Sequence, residues 1–189
     1  FNELLRYIFG YLFYFQHLIY SDGYDLNLRK ENNLNGTYSQ YSINNIKAKK
    51  EELFSMYMSS ILENDFNELI ILFTKIMENF SIRNFKADKL LFLLRKKSHS
   101  KIAIIIRKSW QKDILIEWLK NNNIIYDKYL KNRKEINIID FNTFRKQKND
   151  IFYDLIIFSG WYGYKNEFIF NTGISSHIIF LLYQFEKNQ

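Results

Sequence analysis

The stretch KIAIIIRKSWQKDILIEWLKNNN, residues 101–123, changes character halfway. Ile102 to Ile106 (IAIII) is a β-branched run of strand length, and β-branched side chains pack well on a pleated surface. Ser109 then stands where a helix cap is wanted. From 110 to 121 the apolar positions Ile114, Leu115, Trp118 and Leu119 fall on one stripe, with Asp113 in the first turn and Lys120 in the last, as the helix dipole prefers. Asn121-Asn122-Asn123 ends the pattern. The spacing therefore predicts strand, capped helix and turn.

Working outward, Ala87 to Arg95 (ADKLLFLLR) reads as a short helix with a basic end, joined to the strand by KKSHSK. Beyond the asparagines, short strands are predicted at 124–128 and 135–140 around the basic turn KYLKNRK. Stronger strands are predicted at 153–158 (YDLIIF) and 177–184 (HIIFLLYQ), with a glycine-bearing loop and a brief helix between them. Toward the N-terminus the pattern is helical. Residues 1–20 are apolar around most of a helix circumference, 21–42 are polar and hold two glycines, and helices are predicted at 45–62 and 65–81. The last of these follows an Asn64-Asp65 cap and carries Phe66, Leu69, Ile70, Phe73, Ile76 and Met77 at helical spacing. The fold class expected is α+β, with a helical extension over 1–85, an α-β-α-β-β module over 86–140 and a small C-terminal β/α module over 141–189.

Composition limits the chemistry. The chain has 189 residues, 47% hydrophobic and 25% charged, with no Cys, no Pro and six Gly. That is too apolar for disorder, and no apolar run of about 20 residues offers a membrane span, so no membrane partner is expected. Without cysteine there is no disulfide, thiol nucleophile or thiolate zinc site, and His17, His99 and His177 have no ligand spacing. The glycines are too few and too scattered for a phosphate-cradling or dinucleotide fingerprint. Asp140, Asp154 and Glu167 are isolated acids and form no catalytic pair. No enzyme activity, cofactor or metal is expected. Ile, Asn, Lys, Phe and Tyr make up roughly half the chain, a bias toward AT-rich codons that no fold demands, so most aromatics are expected to be core filler.

Charge is informative once located. Residues 89–148 carry about 16 Lys/Arg against about 5 Asp/Glu, whereas the flanking stretches are each roughly −2, within a chain of formal charge +7. One 60-residue segment thus holds the whole basic excess, the distribution of a surface that meets phosphates.

These elements also resemble a known family. The order helix 87–95, strand 102–106, helix 110–121, hairpin 124–140 is similar to the N-terminal module of small-subunit ribosomal protein eight. LFLLRK at 91–96 resembles that family's helix ending in a hydrophobic-Arg-Asn run, and Ser109 resembles the serine opening its second helix. Leu115, Leu119 and Ile125 fall on the family's apolar positions. S-G-W-Y-G at 159–163 resembles the S-T-S-x-G loop, Asn166-Glu167 its polar-acidic helix start, and Gly173 to Ile179 the run leading into the last strand. Departures are Lys96 for Asn, Gly160 and Trp161 for Thr and Ser, and Ser175-Ser176-His177 for Gly-Gly-Glu. The stretch between the modules is roughly 20 residues short, and residues 1–85 have no counterpart.

The resemblance implies a structural constituent of the small ribosomal subunit that binds a helical junction of its ribosomal RNA. With the codon bias, it implies an organellar ribosome, in the mitochondrion. Residues 1–85 would then meet neighbouring ribosomal proteins. The RNA-binding residues expected are Arg95, Lys96, Lys97, Lys101, Arg107, Lys108 and Ser109 in the first module, and Lys131, Arg133 and Lys134 on the hairpin turn. Arg145, Lys146 and Lys148 in the connector are further candidates. The loop residues Ser159, Gly160, Trp161 and Gly163 are expected to line one groove with Ser175, Ser176 and His177. Small hydroxyls and glycines suit the shallow minor groove of an RNA helix, while Lys and Arg fix register on phosphates.

Two other classes compete. Strand–helix–strand periodicity from 101 onward also suits a doubly wound α/β domain, including the second RecA-like domain of a helicase. Against it stand the short connection from 128 to 135, which implies a hairpin, and the missing ATP motif. A protein-interaction or defence-system module with an incidental basic face is the other.

Overall fold

Ile102 to Ile106 are buried to within 2% exposure because the strand they form, β1 (Lys101–Ile106), has a neighbour on each edge and cover on each face. The computed structural model describes residues 6, 9–10, 47–48, 51–52, 60–82, 84–96, 98–124, 135–147, 151–162, 169 and 173–183. They include helices α1 (Ser60–Ile82), α2 (Phe85–Arg95), α3 (Gln111–Asn121) and α4 (Phe141–Lys146), and strands β1, β2 (Glu135–Asp140), β3 (Leu155–Phe158) and β4 (Ile178–Phe180). Two compact units divide the chain, and the boundary between described residues falls between Asn84 and Phe85.

In the C-terminal unit the four strands form one sheet in the order β2-β1-β3-β4, every pairing parallel. A parallel sheet buries both faces, which is why IAIII and LIIF are continuous apolar runs. Ala103 and Ile105 on β1 lie beside Ile156 and Phe158 on β3, and this face packs against Phe141 and Phe144 of α4, with Ile169 and Ile174. The opposite face carries Ile102, Ile104, Ile106, Leu155 and Ile157, equally buried. Right-handed crossovers, the rule for parallel connections, send α3 to that side and α4 to the other. Burial of each such side chain contributes about 1.5–3 kcal/mol relative to exposure.

The mixed helix and strand content agrees with the sequence reading, but several particulars are corrected. Among the described residues β2 pairs with β1, in parallel, and the connection between them is the whole of 107–134, with α3 inside it. Measured from Ile106, that crossover has ample length. The strand expected at 124–128 lies outside the described residues except for Ile124, whose N–H bonds the Leu119 carbonyl after α3. Residues 86–140 and 141–189, expected as separate modules, contribute strands to one sheet. The connector after β2 is a helix, α4, whose start Asp140 caps by accepting from the Asn142 and Thr143 amides at 3.1 Å each.

Ser109 is not the cap of α3. Trp110 occupies that position with helical backbone angles and no side-chain cap bond. The Gln111 side chain instead folds back to accept from the Lys108 N–H at 3.0 Å. In the N-terminal unit, α1 runs through Asn64-Asp65 without a break from Ser60. Ile70 is buried, but Leu69, Ile71, Leu72 and Ile76 stand exposed. Residues 47–48 and 51–52 are helical, as expected; residues 1–20 and 21–42 lie outside the description apart from 6, 9 and 10.

Candidate nucleic-acid interface

Parallel strands deliver all their C-terminal ends to one edge of the sheet. β1 continues toward β2 on one side and β3 on the other, so the loops after β1 and β3 diverge there and leave a crevice, the usual ligand position in open α/β sheets. The loop after β1 is Arg107-Lys108-Ser109; the loop after β3 begins Ser159-Gly160-Trp161-Tyr162.

Hydrogen bonds fix the loop after β3 to the end of β1. The Ser159 N–H donates to the Ile105 carbonyl at 3.0 Å, and the Tyr162 hydroxyl donates to the same carbonyl at 3.1 Å. With its proton used there, Tyr162 accepts from the Ser159 hydroxyl at 2.6 Å. The Tyr162 ring stacks on Phe141 at 4.5 Å and carries the Arg107 guanidinium 5.4 Å from its centroid. Trp161, half-buried, leans on Phe180 at 5.4 Å. Lys108, Ser109 and Lys112 are exposed beside the start of α3, where the dipole favours an anion.

Behind this edge lies Lys86, a lysine only 3% exposed. A buried ammonium is costly unless paired. Its Nζ donates to the Ser159 carbonyl at 3.1 Å and sits 4.4 Å from the centre of the Tyr183 ring, tying the first turn of α2 to the ends of β3 and β4.

The residues expected to bind RNA are thereby divided. Arg107, Lys108, Ser109, Trp161 and Gly160 gather at the C-terminal edge, although Ser159 and Gly160 are buried and the hydroxyl of Ser159 serves Tyr162. Ser175, Ser176 and His177 precede β4 and so lie at the opposite, N-terminal edge; the single groove expected for them and the 159–163 loop does not exist. Lys101 is at that same far edge, in a 3.9 Å ion pair with Glu135 and 5.8 Å from the Tyr153 ring centre. Arg95 ends α2 and Lys96 follows it, both exposed. Lys97, Lys131, Arg133, Lys134, Lys148 and Gly163 fall outside the described residues. Arg145 and Lys146 are exposed on the last turn of α4.

The N-terminal edge has its own framework. Asp154 accepts from the Ser100 hydroxyl at 2.6 Å, the Lys101 N–H at 2.8 Å and the Ser100 N–H at 2.9 Å. Those bonds, with a smaller contribution from His99, hold its carboxyl down at about 2. Tyr153 beside it is pushed up by burial and by Glu135. His99 and His177, far apart in sequence, meet edge to face at 5.3 Å. Among the described residues no group of three His, Asp or Glu could hold a metal ion. At the other edge, burial raises the Asp140 carboxyl, but its bonds to Thr143 and Asn142 outweigh this and lower it overall, which commits that acid to capping.

Sequence reasoning missed Tyr162, Lys86 and Lys112. Tyr162 lay within the singled-out SGWYG loop, and Lys112 follows the cap region of α3; nothing in the local pattern marked Lys86 as buried. Among the described residues no helix is long and apolar enough to cross a membrane. Comparison with protein-family models, curated proteins and solved structures returned no match.

Proposed function

We propose that the C-terminal unit is a nucleic-acid-binding α/β domain that takes the phosphate backbone at the C-terminal edge of its sheet. The observation that carries this is the arrangement of Arg107 over the Tyr162 ring, beside Lys108 and the half-buried Trp161, at the point where the connections of β1 and β3 part. An arginine held on an aromatic face keeps its fork oriented for phosphate, and a nearby indole offers a stacking surface. The basic excess of residues 89–148 supports the same partner.

The all-parallel pairing of the four described strands favours the reading of this unit as a doubly wound domain of the kind that forms the second half of a helicase-type motor, since β2 joins β1 through a crossover long enough to hold α3. In that reading the nucleotide-hydrolysing motif belongs to a partner domain. A role on ribosomal RNA uses the same basic edge, and the exposed Leu69, Leu72 and Ile76 of α1 would then meet a neighbouring protein.

The test is binding of a labelled RNA across a salt series. Phosphate contacts from Arg107, Lys108 and Lys112 contribute about −2 to the slope of log affinity against log salt on a single strand, and Arg107→Glu with Lys108→Glu flattens it by about 1.4. An unchanged slope refutes the proposal. Co-sedimentation with the small ribosomal subunit, or an ATP-dependent change in affinity with a partner domain present, decides the host.

A further inference from the structure

Phe92 is 53% exposed on α2; its neighbours three and four residues away, Asp88, Lys89, Arg95 and Lys96, are all charged, and the next exposed apolar residue on that face is Phe85, two turns before it. Lys89, three residues before it, holds its ammonium 5.0 Å from the ring centroid, and Lys96, four residues after it, at 4.9 Å. These are helix-surface neighbours. Arg95 is exposed on the next position, with Asp88 the one acid on that helix.

We propose that the outer face of α2 is a second nucleic-acid contact, on which Phe92 stacks a base of a single strand while Lys89 and Lys96 take the flanking phosphates. The inference rests on the edge site proposed above and extends it. Charge complementarity selects the occupant: a surface helix meeting another helix presents aliphatics at i and i+3 or i+4, whereas a ring between two ammoniums matches the alternation of base and phosphate. Exchange of a solvated ammonium for a base on the ring face is favourable, because base–aromatic stacking exceeds an exposed cation–π contact. The lysine released moves to the phosphate.

Geometry joins the two contacts. α2 begins at the C-terminal edge, where Lys86 reaches the Ser159 carbonyl, and ends before Ser100 at the N-terminal edge. α2 thus runs from the edge that carries Arg107 to the edge that carries Arg95 and Lys96.

The experiment uses the full chain and a labelled oligouridylate of about 12 nucleotides, within the range of single-strand sites. Phe92→Ala is expected to weaken binding about tenfold with the salt slope unchanged, and Phe92→Tyr to restore it. Lys89→Glu with Lys96→Glu is expected to flatten the slope by about 1.4. If Phe92→Ala binds as the parent does while Arg107→Glu with Lys108→Glu binds weakly, the α2 contact is overturned and the edge site stands. If neither change matters, both are overturned. Since Phe92 is exposed, an unaltered thermal transition in each variant shows that the fold is not the cause.

Discussion

Removing one oxygen from Tyr162 separates the tether of the edge loop from its platform. In Tyr162→Phe the ring stays on Phe141 and under Arg107, but the relay from the Ser159 hydroxyl through Tyr162 to the Ile105 carbonyl is cut. The Ile105 carbonyl keeps the Ser159 N–H at 3.0 Å, so it remains satisfied. The hydroxyl of Ser159, a residue with 0% exposure, is left without an acceptor, and an orphaned buried hydroxyl costs about 1–3 kcal/mol. Ser159→Ala removes one bond and leaves Tyr162 still donating to Ile105, for about 1 kcal/mol. With both changes no hydroxyl is orphaned, so the double variant is expected to lose about 1 kcal/mol less than the sum of the single losses. Urea unfolding of the four proteins in the cycle measures this. Additivity within about 0.3 kcal/mol would refute the relay. The same set separates the two roles of Ser159: RNA affinity is expected to hold in Ser159→Ala and Tyr162→Phe, whereas loss of RNA binding at unchanged stability would make Ser159 a direct contact.

Two further outcomes follow from the packing and from the far edge. Asp154 titrates at about 2 in the folded chain against an ordinary 3.8, so its bonds from Ser100 and Lys101 add stability that is complete above about pH 4 and disappears as pH falls toward 2. Asp154→Asn should flatten the stability–pH curve across that window, and parallel curves for the two proteins would count against the assignment. Ile104, with 0% exposure on the strand between β2 and β3, is expected to cost about 2–5 kcal/mol as Ile104→Ala, and a loss under about 1 kcal/mol in urea would show that its cavity collapses or that the face is open.

The strands at the centre of the sheet were legible because burial on two faces leaves no polar alternation to confuse: IAIII and LIIF could hardly be anything else once bounded by polar residues. Their pairing was harder to read. Measuring the connection to β2 from 128 makes it too short for a parallel crossover, whereas β2 pairs with β1 and the connection that counts runs from Ile106 through α3. α4 is hard to read because six residues make fewer than two turns of periodicity, although Asp140 followed by Phe141 and Phe144 at i, i+3 holds the signal. Ser109 has the residue type of a cap, but Gln111 closes the turn from inside, which residue type alone does not reveal. The basic excess is legible as the segment 89–148, but sequence proximity does not assign its members to an edge.

That assignment follows from a simple alternation. A strand and the helix beside it run in opposite directions, so successive connections emerge at opposite edges: Lys96 and Lys101 at one, Arg107 and Lys108 at the other. β1, six residues long, separates them by roughly 20 Å at about 3.3 Å per residue. A mononucleotide can satisfy only one edge, and a flat basic patch drawn from the sequence would be fictitious. A polymer can satisfy both, provided something lies between the edges for it to follow. α2, about 16 Å long at 1.5 Å per residue, spans most of that gap with Lys89 and Phe92 exposed along it and Lys96 just past its end. The charge density that the chain concentrates in one segment thus becomes, after folding, a path with two ends, and a path has a use for a long polyanion that it does not have for a small one.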